Sequence, residues 1–349
     1  MPGLGARGAG ARVTRAGRAR LGLAAAIALL ATVAALALAA RGSEPERPSG
    51  RGSDSWGALT PSPLERTEVG AARIGDRVYV VGGYIASGGT TGRLVRYDIS
   101  EDRWTELRPL PIEVNHPGVT AAGGRLYVHG GNLPAGGQGE PKSRRLYRYD
   151  PAGNRWRRLP DAPTARAAHA FVAIGAKLYA AGGYSEHDFQ LRKLEVYDTE
   201  RRRWQRGPAM PTGRNHVGAT VLGGRMVVTG GRPGAIAGGQ TTVESYDPGR
   251  RRWTSLAPLA TARSGHAAAV AAGRLVVLGG EELGEGGTTI EQVEVYDPAA
   301  DAWGPLPEMV TPRHGLGAAA RGVRLFAVEG GPQPGLAYSS ALEYLDLGR

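Results

Sequence analysis

The chain has 349 residues, with 43 Lys and Arg against 32 Asp and Glu, giving a formal net charge of +11. Lysine occurs only at Lys142, Lys177 and Lys193, so the basic excess is arginine spread along a Gly- and Ala-rich chain. A nucleic-acid binder more often concentrates such charge in a stripe or arm, so the arginine excess reads mainly as composition. Cysteine is absent, which excludes disulfides, thiolate nucleophiles and cysteine-ligated metal.

Residues 1–40 read as a targeting segment. Arg7, Arg12, Arg15, Arg18 and Arg20 precede an uncharged run over residues 21–40, which contains the small-residue sequence Ala37-Leu38-Ala39. The run is long enough to span a bilayer as a helix. It is expected to be either a cleaved export signal or an uncleaved anchor holding the protein to the membrane through residues 21–40. Either way the remainder lies outside the cytoplasm, secreted or tethered. Residues 41–53, RGSEPERPSGRGS, form a polar linker without apolar periodicity.

From residue 54 to residue 349 one pattern repeats at intervals of about 50 residues. Short β-like runs such as Val78-Tyr79-Val80-Val81 end on a glycine pair. The pairs are Gly82-Gly83, Gly130-Gly131, Gly182-Gly183, Gly230-Gly231, Gly279-Gly280 and Gly330-Gly331. A third run closes on Tyr97-Asp98, Tyr149-Asp150, Tyr197-Asp198, Tyr246-Asp247, Tyr296-Asp297 or Leu345-Asp346. A turn then leads to a tryptophan: Trp104, Trp156, Trp204, Trp253 or Trp303, with Trp56 ahead of the first glycine pair. Glycine suits a strand end where the backbone needs positive φ or close approach. Tyr and Trp supply area for packing one small sheet on the next. The Asp is turn chemistry. Four short strands per unit predict an all-β six-bladed propeller. The unit ending at Leu345-Asp346 lacks a tryptophan, and Trp56 has no unit of its own. The strand around Ser55–Thr60 is therefore expected to complete the last blade and close the ring.

The chain resembles the kelch-repeat β-propellers over residues 54–349, through the di-glycine, the Tyr and the Trp of each blade. The turn between blades carries a further pattern: Arg66, His116, Arg166 with His169, Arg214 with His216, Arg263 with His266, and Arg313 with His314. In the second blade Val114 replaces the arginine. These residues are candidates for a ring at the channel mouth, because guanidinium forks suit carboxylates, sulfates and sugar acids. The resemblance implies the same, since arginines at the matching position of peptide-binding kelch propellers contact acidic groups. The competing reading is that each arginine binds carbonyls or a carboxylate within its own blade. The histidines lie in separate blades without a metal-binding spacing, so neither metal nor cofactor is expected.

Acid–base candidates are Glu281, Glu282, Glu329, Glu113 beside His116, and Glu186 beside His187, all on loops. A copper-radical kelch oxidase is excluded by the missing cysteine. Exported six-bladed kelch propellers include the sialic acid epimerases, whose site has no matching pattern here. The expected function is binding of a protein or glycan on the loop-bearing faces, and the alternative is an extracytoplasmic carbohydrate-active enzyme resembling those epimerases.

Overall fold

The computed structural model describes residues 55–135, 140–235, 238–284 and 286–348. The targeting segment expected over residues 1–40 and the linker over 41–53 lie outside them. No helix among the described residues is long and apolar enough to cross a membrane.

The described chain is all-β, with six four-stranded antiparallel sheets arranged as the blades of a propeller. The third blade shows the plan. Ala170–Ile174, Lys177–Ala181, Leu194–Asp198 and Arg203–Arg206 pair in sequence order. The innermost strand of each blade contacts those of its two neighbours, including Gly317–Arg321 of the sixth with Gly70–Ile74 of the first. Gly57–Ala58 pairs antiparallel with Leu342–Asp346 and supplies the outer strand of the sixth blade. The first and last strands of the described residues thus share one sheet, which covers an edge that would otherwise be open.

Apolar packing lies between blades. Val78, Val80 and Tyr97 of the first meet Ala319, Phe326 and Val328 of the sixth. Each tryptophan of the first five blades packs on its cross-strand tyrosine, as Tyr97 and Trp104 do with ring centroids 5.2 Å apart. Its indole N–H also donates to the preceding blade: Trp104 to Thr60 O at 2.8 Å, Trp156 to Arg108 O at 2.8 Å, Trp253 to Pro208 O at 2.9 Å. Trp56 donates to Pro307 O at 2.9 Å, so the first tryptophan staples the last blade to the fifth.

The glycine pairs have a related task. The second glycine donates its N–H to the carbonyl of the residue that opens the next blade: Gly83 to Val114, Gly131 to Arg166, Gly183 to Arg214, Gly231 to Arg263, Gly280 to Arg313. A Cβ on Gly183, at φ 86°, would lie 2.5 Å from Ala167 O. In the sixth blade this position belongs to Gly330, which donates to Arg66 O at 2.9 Å. Glu329, at φ 54°, takes the place of the first glycine. The expected pair Gly330-Gly331 is therefore shifted by one residue, and Gly331 is already the first residue of the loop.

Candidate functional site at the axial mouth

The five arginines do not face an opening. Arg66, Arg166, Arg214, Arg263 and Arg313 are all 0% exposed. Arg263 shows the common arrangement. It donates to Gly279 O at 2.8 Å and Gln292 O at 2.9 Å, and pairs with Glu294 at 2.7 Å. Arg166 pairs with Glu195 at 2.9 Å, Arg313 with Glu343 at 2.6 Å and Arg214 with Glu244. The ring of guanidiniums expected at the mouth is replaced, in the third to sixth blades, by a buried ion pair that ties the blade's entry turn to its third strand.

The two exceptions in the repeat follow the same logic. Val95 stands where other blades carry this glutamate, and Arg66 instead pairs with Glu329 of the sixth blade at 2.7 Å. In the second blade both partners are gone: Val114 and Tyr147 occupy the two positions and share one apolar cluster. Removing both charges together avoids leaving either one buried alone.

The axis is lined by the residue two places after each arginine position. These are Glu68, His116, Ala168, His216, Gly265 and Gly315, all at φ between 49° and 63°. Their backbones form a hydrogen-bonded ring. His116 N donates to Glu68 O, Ala168 N to His116 O, His216 N to Ala168 O, Gly265 N to His216 O and Gly315 N to Gly265 O. Val69 N donates to Gly315 O and closes it. The left-handed backbone turns these side chains toward the axis, while the arginines two places earlier point into their blades. A cavity of about 90 Å³ sits inside this ring, bordered also by the next residue of each turn: Val69, Pro117, His169, Val217, His266 and Leu316.

A second tier comes from the residue just beyond each glycine pair: Tyr84, Asn132, Tyr184, Arg232, Glu281 and Gly331. It bridges to the residue after each arginine, as in Asn115 with Asn132, Asn215 with Arg232 and Ser264 with Glu281. Contacts then run from blade to blade. Tyr84 OH donates to Glu140 at 2.6 Å, Asn132 Nδ2 donates to Tyr184 OH at 2.7 Å, and Arg232 pairs with Glu281 at 2.8 Å. Phe189, half exposed, stacks on Tyr184 with centroids 5.8 Å apart, and Tyr184 stacks on His216 at 5.8 Å.

At the centre, His116 Nε2 lies 3.0 Å from Glu68 Oε2. Burial raises the Glu68 carboxyl to about 7, with His314 and Arg232 opposing the shift and Glu281 adding to it. Burial also lowers His116 to about 3, reinforced by Arg232, His314 and Lys142. His216 falls well below the usual imidazole range for the same reason, helped by Arg232, His116 and His314. Both rings are therefore neutral. Their Nδ1 atoms face Asn115 Oδ1 at 2.6 Å and Asn215 Oδ1 at 2.5 Å, so Nδ1 carries the hydrogen and Nε2 the lone pair. His314 joins from the sixth blade, with Nδ1 3.1 Å from Gly331 O and Nε2 2.9 Å from Gly335 O.

The remaining histidines of the expected ring, His169 and His266, also border the cavity, but their Nε2 atoms are engaged between blades. His169 Nε2 meets His129 Nδ1 at 2.9 Å between the second and third blades. His266 Nε2 meets Thr229 Oγ1 at 2.9 Å and accepts from Gly218 N at 3.2 Å. Both fill space left by a glycine: a Cβ on Gly118 or Gly218 would lie 2.7 or 2.6 Å from the imidazole. Of the acid–base candidates, Glu281 reaches the central cluster, Glu329 is buried against Arg66, and His116 meets Glu68 rather than Glu113. Asn115 and Asn215 showed only as the residues before His116 and His216, and Glu68, Tyr184 and Arg232 were not legible as site residues because most other blades carry different residues there. Reading down the two axis-facing columns of the repeat isolates them.

These features define a six-bladed kelch propeller with a non-repeating polar cluster on its axis. The chain belongs to the kelch-repeat family described as the KLHDC2/KLHL20/DRC7 Kelch-repeats domain, which it matches over residues 115–331. The Kelch motif also matches over residues 65–111. Among solved structures the chain is similar to one titled "Structure of YjhT". The TM-score is 0.70 and the identity 18%, covering 81% of this chain and 96% of that one. No curated protein sequence matches the chain.

Proposed function

We propose that the protein is an extracytoplasmic binding module that takes a glycan or protein segment at this axial mouth. One observation carries the reading. The stack of Phe189, Tyr184 and His216 leads from an exposed loop to the polar cluster on the axis. An aromatic face beside fixed amide, imidazole and carboxylate groups suits a ligand with one apolar face and several hydroxyls or amides. Leu336, exposed on the corresponding loop of the sixth blade, adds apolar surface. The basic and apolar residues at the N-terminus support the location.

The test is a glycan array and a peptide array probed with the full-length protein, its Phe189→Ala and Tyr184→Ala variants, and a Val323→Ala control. A ligand retained by the mouth loses at least about tenfold in affinity in both aromatic variants, equivalent to about 1.4 kcal/mol, and nothing in the control. Retention unaffected by both variants overturns the reading. Steady chemical conversion of a retained sugar replaces it with the carbohydrate-active enzyme.

A further inference from the structure

We propose that Glu68, His116 and His216 form a binding site for a divalent first-row transition cation such as Zn²⁺. The three side chains come from the first, second and fourth blades, and one ligand atom from each falls within 4.8 Å of the others. All three stand at equivalent left-handed positions, φ 54°, 52° and 51°, on a ring whose backbone is hydrogen-bonded. Two imidazoles and a carboxylate are a common donor set for such ions, leaving further coordination positions open.

The supporting shell is what distinguishes this cluster from a chance meeting of polar groups. Metal-ligating histidines donate their other ring N–H to an oxygen, which fixes the tautomer. Here the twin dipeptides Asn115-His116 and Asn215-His216 do so in the same way, two blades apart, at 2.6 and 2.5 Å. Asn115 is itself held by Thr90 at 2.8 Å, and Asn215 by Phe189 O at 2.6 Å. His169 and His266, which lack a preceding asparagine, point into the blade interfaces instead. The sequence thus places an Asn-His pair only where the imidazole is on the axis.

One edge of the site already has the spacing an ion needs, and the ligand atoms, which lie within 4.8 Å of one another, close the rest on binding. Ligand atoms about 2.0–2.2 Å from an ion lie roughly 3 Å apart along an edge, and the His116–Glu68 edge is 3.0 Å. His216 packs edge-on against His116, with centroids 4.8 Å apart. The cavity of about 90 Å³ holds the ion and a water or two beside it. Arg232 Nη2 lies 3.0 Å from His216 Nε2 and covers that lone pair. An entering ion displaces it, and Glu281, 2.8 Å from the other nitrogen, keeps the guanidinium paired.

The experiment titrates chelator-treated full-length protein with Zn²⁺ by calorimetry and with Co²⁺ by visible absorption. One ion per chain is expected. His116→Gln and His216→Gln abolish the Co²⁺ band, while His187→Ala, on an exposed loop, leaves it unchanged. Asn215→Ala weakens binding by about 10–100-fold, and Arg232→Met strengthens it. No ion at one per chain, or equal affinity in wild type and both glutamine variants, overturns the site. Should the glutamine variants fail to fold, absence of the opposite shifts in Asn215→Ala and Arg232→Met overturns it equally.

Discussion

The pair formed by Arg214 and Glu244 is the place to ask which recurring residues are architecture. Arg214 is fully buried and donates to Gly230 O at 2.7 Å and to Thr212 O and Val228 O at 3.1 Å. Glu244 accepts from it and from Thr212 Oγ1 at 2.9 Å. Glu244→Tyr leaves a guanidinium buried with no counter-charge, at a cost of about 3–5 kcal/mol. Arg214→Val leaves a buried carboxylate alone and falls in the same range. The double variant copies Val114 and Tyr147 of the second blade, and both charges leave together. Its cost should fall short of the summed single costs by about 1–3 kcal/mol, the coupling expected of contacting residues. Urea unfolding of the four full-length proteins, followed by tryptophan fluorescence, measures this. Additive costs, or single-variant costs below about 1 kcal/mol, would refute the assignment of the arginines to the scaffold.

Three further outcomes follow from the same structure. His129, His169 and His266 are held neutral by burial, well below their usual range. The unfolded chain protonates them below about pH 6.5 while the folded chain does not, so stability is full above that pH. It then falls on acidification by about 1.4 kcal/mol per unit for each histidine. Glu68, raised to about 7, opposes this with a single proton; a flat urea midpoint between pH 7.5 and 5.5 would contradict it. Trp56→Phe keeps the apolar contact but removes the bond to Pro307 O, and should cost about 1 kcal/mol by the same assay. Gly183→Ala meets Ala167 O and should cost several times as much as Gly175→Ala, which has positive φ but open space around it.

The fold was legible because its markers are bonded to one another. The tryptophan N–H reaches the preceding blade and the second glycine N–H reaches the next, so neither changes without a cost felt between blades. Trp56 and Leu345-Asp346 gave away the closure for the same reason. The arginines misled because recurrence fixes a position in the blade without fixing which way it points. Two residues of offset separate a side chain buried in its blade from one on the axis. Glu329 hid the register of the sixth blade because a glutamate at φ 54° replaces the expected glycine. Its carboxylate is explained only by Val95 two hundred and more residues away, where Arg66 lacks its own partner. The axial cluster was the least legible part. Glu68, His116, His216, Arg232 and Glu281 differ from blade to blade, and only ring closure brings them together. The one local signal was the pair of Asn-His dipeptides.

The most direct test of the proposed axial binding site is a crystal structure of the full-length protein soaked with whichever glycan or peptide the arrays retain. Ligand density against Phe189 and Tyr184, reaching toward His216 on the axis, is the result predicted. Density on the outer strands, away from every loop that follows a glycine pair, would contradict it.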